Sequence, residues 1–228
     1  SFGDEALRFD LDFIYFQWFE HHLKGVDNGI DKTAPVEYYT VGQETWKTAS
    51  NWPIPETQET EIYLDSCGHA NTSSGDGVLS FKLPEKESQD SYDYDPQNPS
   101  THIIDMSENP EDYTEEEKRQ DMLCYSTDPL EKDVVITGDI TVSLYIASDA
   151  PDTDFMVRLT DVDENGRSIK LADGILSAKY RNGFDHADFL NPGEVVPLTI
   201  LTTKISNCFK KGHRIRVTIT SSAKNFVF

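Results

Sequence analysis

The segment DFMVRLTDVDENGRSIKLADGILSAKY, residues 154–180, decides the fold class of this 228-residue chain. On both sides of Glu164-Asn165-Gly166 apolar and polar side chains alternate, which is typical of strands with one buried face. An Asn-Gly pair between two such runs is a strong β-hairpin signal, because both residues tolerate the positive φ of a tight turn. The segment therefore predicts two paired strands, Asp154–Val162 and Ile169–Tyr180.

Similar strand-like runs, separated by turn residues, extend from this hairpin over residues 35–228. Gly, Asn, Asp and Pro cluster at the expected turns, as in Ser73–Gly77, Asn191–Gly193 and Lys211-Gly212. About ten strands at this spacing predict a mainly β protein, built as a jelly-roll β-sandwich. The remaining predicted strands are Val36–Val41, Thr60–Leu64, Val78–Leu83, Ser91–Tyr94, Met122–Ser126, Val134–Ala147, Val195–Lys204 and His213–Ser222.

The first 25 residues have the period of an amphipathic helix instead. Asp4 or Asp10 can cap its start, and Gly25 after Lys24 is a typical helix stop. A lone helix with a broad aromatic stripe has to bury that stripe, so we expect it to dock on a partner domain or, without that domain, on a second copy in a homodimer. The apolar residues at helical spacing are Leu7, Leu11, Ile14, Tyr15, Trp18, Phe19 and Leu23.

The formal net charge of −21 argues against two classes of partner. Nucleic-acid binding needs Lys and Arg to replace counterions on phosphates, and anionic membranes repel such a chain, so we expect neither partner. No apolar run approaches the ~20 residues of a membrane span. The three cysteines are widely spaced, which disfavours a zinc site and favours buried thiols in a reducing compartment, the cytoplasm.

Motifs for catalysis and metal binding are absent or incomplete. The sequence has neither the Gly-x-Ser-x-Gly elbow of serine hydrolases nor a His-Glu-x-x-His zinc motif. Asp161–Gly166 matches the first half of a calcium-binding EF loop, but Ala172 stands where that loop needs a bidentate Glu. A calcium-dependent interaction module is thus a weaker alternative to an acidic tight turn, and we expect no catalytic residue, metal or cofactor in this chain.

Trp46 and Trp52 suggest an alternative function, because aromatic rings on a jelly roll can stack on sugars. A carbohydrate-binding module is therefore an alternative function for this chain. We favour the interpretation that both rings cover the sheet and anchor the turn Pro53-Ile54-Pro55, since the segment offers no ordered set of polar partners. A second unusual region is Asn98–Lys118, an acidic connection whose length indicates either function or disorder. Within it, Thr114–Glu117 predicts a cap and a short helical turn.

Several separate segments form an ordered series that spans the chain. The series consists of Phe2-Gly3 with Trp18–Gly25, Val41-Gly42 with Trp46 and Trp52–Pro55, Tyr94–Pro96 with Pro99, Arg119–Ser126, Asp152–Arg181, Pro192–Glu194 and Gly212–Arg216. Together these segments resemble the cocaine-esterase-like (CocE/NonD) acyl hydrolases, which share the C-terminal domain of X-Pro dipeptidyl-peptidases. Each motif is weak alone, but the ordered set is specific. The resemblance implies a galactose-binding-like jelly roll that follows an α/β-hydrolase domain.

The resemblance also implies that the catalytic Ser, Asp and His precede Ser1, on an α/β-hydrolase domain of the same polypeptide. Residues 1–34 would be the last helix and linker of that domain, and residues 35–228 the jelly roll, ending before its last strand. The intact enzyme would cleave a small ester or peptide. Esterase, amino-acid ester hydrolase and X-Pro peptidase activities all stay open.

The resemblance also implies a role in the substrate cleft. In such enzymes the jelly roll packs on the hydrolase domain, and the loop after Asp95-Pro96-x-x-Pro99 approaches the acyl pocket. Carried over to this sequence, that loop lines the cleft with non-catalytic side chains. The candidate site residues are His102, Ile103, Ile104, Asp105 and Met106.

Overall fold

The computed structural model describes residue 6 and residues 10–86, 88–101, 103 and 110–225. These residues form one α-helix, α1 (Leu11–Lys24), and twelve β-strands. The strands are β1 (Val36–Thr40), β2 (Thr45–Ala49), β3 (Tyr63–Asp65), β4 (Val78–Ser80), β5 (Leu123–Ser126), β6 (Val134–Gly138), β7 (Thr141–Ile146), β8 (Asp154–Val162), β9 (Ser168–Ser177), β10 (Val196–Leu201), β11 (Ile205–Phe209) and β12 (Arg214–Thr220).

The largest sheet contains six strands in the order β3-β4-β5-β12-β8-β9. The hairpin predicted around Asn165-Gly166 is confirmed, because β8 and β9 pair antiparallel from Asp154↔Ser177 to Val162↔Ser168. Gly166 takes the positive φ of 84° that the tight turn requires. We call these six strands the main sheet.

The second layer is a long two-stranded ribbon, in which β6 pairs with β11 and β7 pairs with β10. The hairpin β1–β2 joins its side through a bridge between Val41 and Asn207. Apolar side chains from the main sheet and the ribbon meet in one core, and the mainly β jelly-roll sandwich is confirmed. The buried residues of this core include Leu123, Phe155, Val157, Leu159, Leu198, Ile200, Phe209, Ile215, Val217 and Ile219.

Some strand boundaries differ from those predicted. The predicted strand Val134–Ala147 is divided into β6 and β7 at Gly138, whose φ of 142° breaks the regular ladder. β2 and β11 were not predicted. In β11 a buried polar side chain, Asn207, obscures the alternation. The predicted strand Ser91–Tyr94 is irregular in the structure.

The helix α1 has the ends that its sequence predicts. The Asp10 carboxylate accepts hydrogen bonds from the backbone N–H groups of Asp12 and Phe13, at 3.0 and 3.4 Å. Gly25 has a φ of 71° and donates its N–H to the His21 carbonyl, which ends the helix in a left-handed residue. The other candidate cap, Asp4, and the first stripe residue, Leu7, lie outside the described residues.

Candidate functional site

The helix α1 carries a large apolar surface that nothing in the described chain covers. None of its residues is buried, and seven of its large apolar side chains are more than half exposed. We call this surface the aromatic face of α1. Its members are Leu11, Phe13, Tyr15, Phe16, Trp18, Phe19 and Leu23. A helix that is this apolar and this exposed is typical of an element that a larger protein buries.

The polar side of α1 is occupied by the residues that follow the helix. The His21 ring donates its Nδ1–H to the Val26 carbonyl at 2.9 Å, and its Nε2 lies 3.0 Å from the Asp31 carboxylate. Asn28 donates its side-chain N–H to the Gln17 carbonyl at 2.7 Å. These contacts fold the linker back onto one side of the helix and leave the aromatic face open.

The second candidate region is the acidic connection, whose later half covers the outer face of the main sheet. We call residues 110–121 the covering segment. Its Tyr113 and Glu117 are fully buried. Beneath them lie polar side chains of β8 and β12 that point away from the apolar core and are less than one tenth exposed: Arg158, Thr160, Arg216, Thr218 and Thr220. This half of the connection is therefore an ordered structural cover.

Glu117 is the centre of the polar contacts under the covering segment. Its carboxylate accepts hydrogen bonds from the Arg216 guanidinium, from Ser168 Oγ at 2.8 Å and from Thr160 Oγ1 at 3.4 Å. A buried charge is tolerated only when it is paired and its remaining lone pairs are satisfied, and this arrangement meets both conditions. The contacts fix the covering segment to β12, β8 and β9 at once.

Tyr113 links the cover to the predicted cleft loop. The guanidinium carbon of Arg158 lies 3.5 Å from the centroid of the Tyr113 ring, a close cation–π contact. Burial lowers the pKa of Arg158 and raises the pKa of Tyr113. On its other side, Tyr113 Oη accepts a hydrogen bond from the Ile103 backbone N–H at 2.9 Å.

Ile103 is thus the one candidate site residue that the structure places, and it is half-buried beside the covering segment. The candidates His102, Ile104, Asp105 and Met106 lie outside the described residues. Sequence reasoning did not identify Tyr113, Glu117 or Arg158. A usable signal was present, since an Arg in the middle of an apolar strand indicates a second buried face with an acidic partner.

The rim of the covering segment is held by ion pairs. Arg167 Nε lies 2.7 Å from the Asp112 carboxylate, and Thr114 donates both its N–H and its hydroxyl to the same carboxylate. Partial burial alone would raise the pKa of Asp112, but these hydrogen bonds outweigh it and hold the pKa below its ordinary value. The predicted helical turn is present as a 3₁₀ turn, Glu116–Lys118.

A polar cleft of about 590 Å³ lies beside this region, between the covering segment and the loop that contains Asp95. Arg119 forms one wall and binds the Asp121 carboxylate through two nitrogens, at 2.8 and 2.7 Å. The volume of the cleft is within the range of small-ligand sites, although such sites are usually more apolar.

The calcium-like segment has another use in the structure. The Asp163 carboxylate accepts the backbone N–H groups of Asn165 and Arg167, at 2.8 and 2.9 Å, and so closes the β8–β9 turn. Asp161 instead lies 2.8 Å from the His213 ring. The two carboxylates therefore serve different partners, as expected for an acidic tight turn.

The tryptophans and cysteines also have assigned places. Trp52 donates its indole N–H to Asp139 at 3.3 Å, and the Trp46 ring packs on Tyr39 at a centroid distance of 5.6 Å.

Cys124 and Cys208 are buried as expected, but Cys67 is exposed, so the prediction of three buried thiols is wrong for Cys67. Burial raises the pKa of Cys124 to about 12. Within the part of the chain that the structure describes, no helix has the length and apolarity of a membrane span.

Known proteins share this architecture and part of this sequence. The family model of the X-Pro dipeptidyl-peptidase C-terminal non-catalytic domain matches residues 28–226. Cocaine esterase of Rhodococcus sp. (strain MB1 Bresler) is 37% identical over 211 residues, which are 90% of this chain and 37% of that esterase. This chain therefore spans little more than a third of the length of that relative.

Two solved structures show the same fold at lower identity. An aminopeptidase from a marine sediment archaeon, Thaumarchaeota archaeon, superposes with a TM-score of 0.77 at 24% identity, over 92% of this chain and 36% of the aminopeptidase. An α-amino acid ester hydrolase superposes with a TM-score of 0.73 at 22% identity, over 91% of this chain and 36% of the hydrolase. With a family match over most of its length, this chain belongs to the X-Pro dipeptidyl-peptidase C-terminal non-catalytic domain family.

Proposed function

We propose that this chain is the β domain of a serine hydrolase, that it packs on an upstream α/β-hydrolase domain through α1, and that the loop of residues 102–106, which we call the Ile103 loop, walls part of the substrate cleft. The single observation that carries the proposal is the aromatic face of α1, on which seven large apolar side chains of one helix are each more than half exposed. Burial of apolar surface is the main favourable term in such docking, at roughly 25 cal/mol per Å².

The length of the relatives supports a docking partner within the same polypeptide. The chain matches only 37% of the cocaine esterase sequence, so the remaining length is sufficient for a catalytic domain. In this proposal residues 1–34 end that domain and residues 35–228 form the β domain. Ser, Asp and His on the upstream domain perform the chemistry, in which His takes the serine proton and Asp orients the imidazole.

The cleft-wall role rests on how the Ile103 loop is anchored. Tyr113 and Glu117 fix the covering segment to the main sheet, and Tyr113 Oη holds the Ile103 N–H. A loop that starts from so rigid a support can hold an acyl group against the catalytic domain without supplying a reacting atom. The substrate is a small ester, an amino-acid ester or an X-Pro peptide, in line with the names of the relatives.

The first experiment compares the 228-residue chain with the full polypeptide in p-nitrophenyl acetate hydrolysis. We expect turnover by the full polypeptide, inhibition by a serine-reactive fluorophosphonate, and no turnover by this chain. Hydrolysis by this chain alone would overturn the proposal. Sedimentation of the same chain tests the homodimer, because a second copy on the aromatic face would give a concentration-dependent dimer.

The second experiment places a charge on the aromatic face. Trp18→Asp in the full polypeptide should lower its melting temperature and raise KM, because the charge would be buried between the domains. Lys24→Ser is the matched control, since Lys24 is an exposed polar residue of the same helix. Equal melting temperatures for the two variants would contradict docking through α1.

A further inference from the structure

The ring of His21, in the last turn of α1, contacts two groups that can only accept hydrogen bonds. Its Nδ1 lies 2.9 Å from the Val26 carbonyl oxygen, and its Nε2 lies 3.0 Å from the Asp31 carboxylate. A carbonyl and an ionised carboxylate have no proton to donate, so each ring nitrogen has to supply one. A neutral imidazole carries a single N–H, whereas the imidazolium carries two. The arrangement is therefore complementary to the protonated form of His21.

Both partners of the His21 ring belong to the linker, residues 26–34, which joins α1 to β1. Val26 follows the left-handed Gly25 at the end of the helix, and Asp31 lies in the 3₁₀ turn Ile30–Lys32. One ring thus holds both the start and the middle of the linker against the last turn of α1. Because the linker is the connection to β1, its shape sets the orientation of α1 relative to the strands.

A second contact between the linker and α1 does not involve a titratable group. Asn28 donates its side-chain N–H to the Gln17 carbonyl at 2.7 Å, and its Oδ1 accepts the Ile30 N–H at 3.3 Å. An amide keeps the same charge at every pH, so these hydrogen bonds do not depend on protons. Loss of a proton from His21 therefore frees the turn around Asp31 and leaves Asn28 in place.

The charges around His21 leave Asp31 as its counter-charge. The other charged or titratable side chains of the last turn of α1 and of the linker are Glu20, His22, Lys24, Asp27 and Lys32. Glu20 and Lys24 form an ion pair with each other. The His22 ring stands edge-on to the His21 ring at a centroid distance of 4.8 Å, and it opposes the charge on His21 once it is itself protonated. Asp31 is thus the carboxylate that favours the charged ring.

We infer that His21 is a proton-dependent latch, which as an imidazolium holds the linker on α1 and which releases the Asp31 turn when it loses its charge. Histidine changes charge between about pH 5 and 8. The linker is therefore held at about pH 6 and loosened above about pH 8, where one ring nitrogen has no proton for its acceptor. The inference goes beyond the proposed function and does not depend on it, since every group involved lies in the described part of the chain.

Nitrogen NMR of the histidine side chains in this chain tests the latch. At about pH 6 both ring nitrogens of His21 should give the signals of protonated nitrogens, which the spectrum of His21→Gln assigns. As the pH rises to about 8.5, the backbone amide signals of Ile30, Asp31 and Lys32 should shift with the same midpoint as the ring. A His21 ring that is neutral at the lower pH, or linker amides that do not follow its titration, would overturn the inference.

A variant of the counter-charge provides the second test. Asp31→Asn should keep the contact but remove its pH dependence, because an amide accepts from a protonated ring nitrogen and donates to a neutral one. The readout is the exchange protection of the Lys32 amide, which binds the Gly29 carbonyl at 3.0 Å, after correction for the intrinsic effect of pH on exchange. Between about pH 6 and 8.5 this protection should fall about fivefold to tenfold in the wild-type chain and less than about twofold in Asp31→Asn.

Asp27→Asn is the matched control for this variant. It removes a carboxylate from the same linker, but not the one that binds His21, so the wild-type pH dependence should remain. Equal pH dependence in the wild-type chain and Asp31→Asn, or its loss in Asp27→Asn, would contradict a latch formed by His21 and Asp31.

Discussion

The helix α1 and the covering segment reverse the usual distribution of residues in opposite ways. α1 exposes aromatic rings, among them Trp18 and Phe19, while the covering segment buries a charged Glu117 against Arg216. Large apolar side chains are normally inside and carboxylates normally outside. Each region therefore carries a cost that some other element has to offset.

The difference lies in where the offsetting element is found. The buried carboxylate of Glu117 finds its hydrogen-bond partners within the chain, since Arg216, Ser168 and the covering segment itself surround it. The aromatic face of α1 meets no such element in the described residues, and in our proposal the upstream domain covers it. The polar cluster is thus compensated within the chain, whereas an exposed apolar helix face is typical of an interaction surface.

The largest expected effect comes from breaking the buried ion pair. Glu117→Gln should lower the free energy of unfolding by about 3–5 kcal/mol, because it leaves the Arg216 charge buried without its counter-charge. Urea denaturation measures the loss. A loss below about 1 kcal/mol would show that water reaches this cluster.

The control for this pair replaces both partners together. The double variant Glu117→Met, Arg216→Met removes both buried charges and should be more stable than Glu117→Gln alone. A double variant that is less stable than the single variant would mean that the polar contacts, and not the unpaired charge, dominate the cost.

A smaller effect is expected where the covering segment holds the Ile103 loop. Tyr113→Phe keeps the ring on Arg158 but removes the acceptor for the Ile103 N–H, which should cost about 1 kcal/mol. Hydrogen exchange should speed up at the Ile103 amide. Tyr63→Phe is the matched control, since the Tyr63 hydroxyl binds Glu61 near the surface and its loss should cost less. Unchanged exchange at Ile103 would contradict the proposed anchoring.

The rim of the covering segment should give a pH-dependent effect. The pKa of Asp112 is lower in the folded chain than its ordinary value of 3.8, so its contribution is present above that pH and is lost as pH falls through the folded pKa. The stability difference between the wild-type chain and Asp112→Asn should therefore shrink on acidification to about pH 3. Urea titrations at several pH values measure it, and a difference that grows in acid would contradict the assigned sign.

The smallest effect is expected on α1 itself. Phe19→Ser in the 228-residue chain should change the free energy of unfolding by less than about 0.5 kcal/mol, because the ring is 54% exposed. In the full polypeptide the same substitution should be clearly destabilising if α1 docks on another domain. Equal effects in the two contexts would remove the contrast between α1 and the covering segment.

Local features of the fold were predictable because neighbouring residues encode them. Asp10 and Gly25 mark the ends of α1, and Asn165-Gly166 marks the central hairpin, in each case through contacts within a few residues. The break of the ribbon at Gly138 and the buried polar residues of β11 were not predictable in this way. Their burial depends on which strand lies alongside, and the alternation pattern does not specify that.

The sequence by itself determined the fold class, the ends of α1 and the apolar character of its face, because each depends on period and short-range hydrogen bonds. Only the tertiary structure decided that an acidic connection is partly a buried cover. Glu117 and Arg216 are 99 positions apart, and only the order of strands in the main sheet brings them together. From any short stretch of the sequence, both charged side chains would be predicted to be solvent-exposed. Their pairing depends on distance in space and not on distance along the chain.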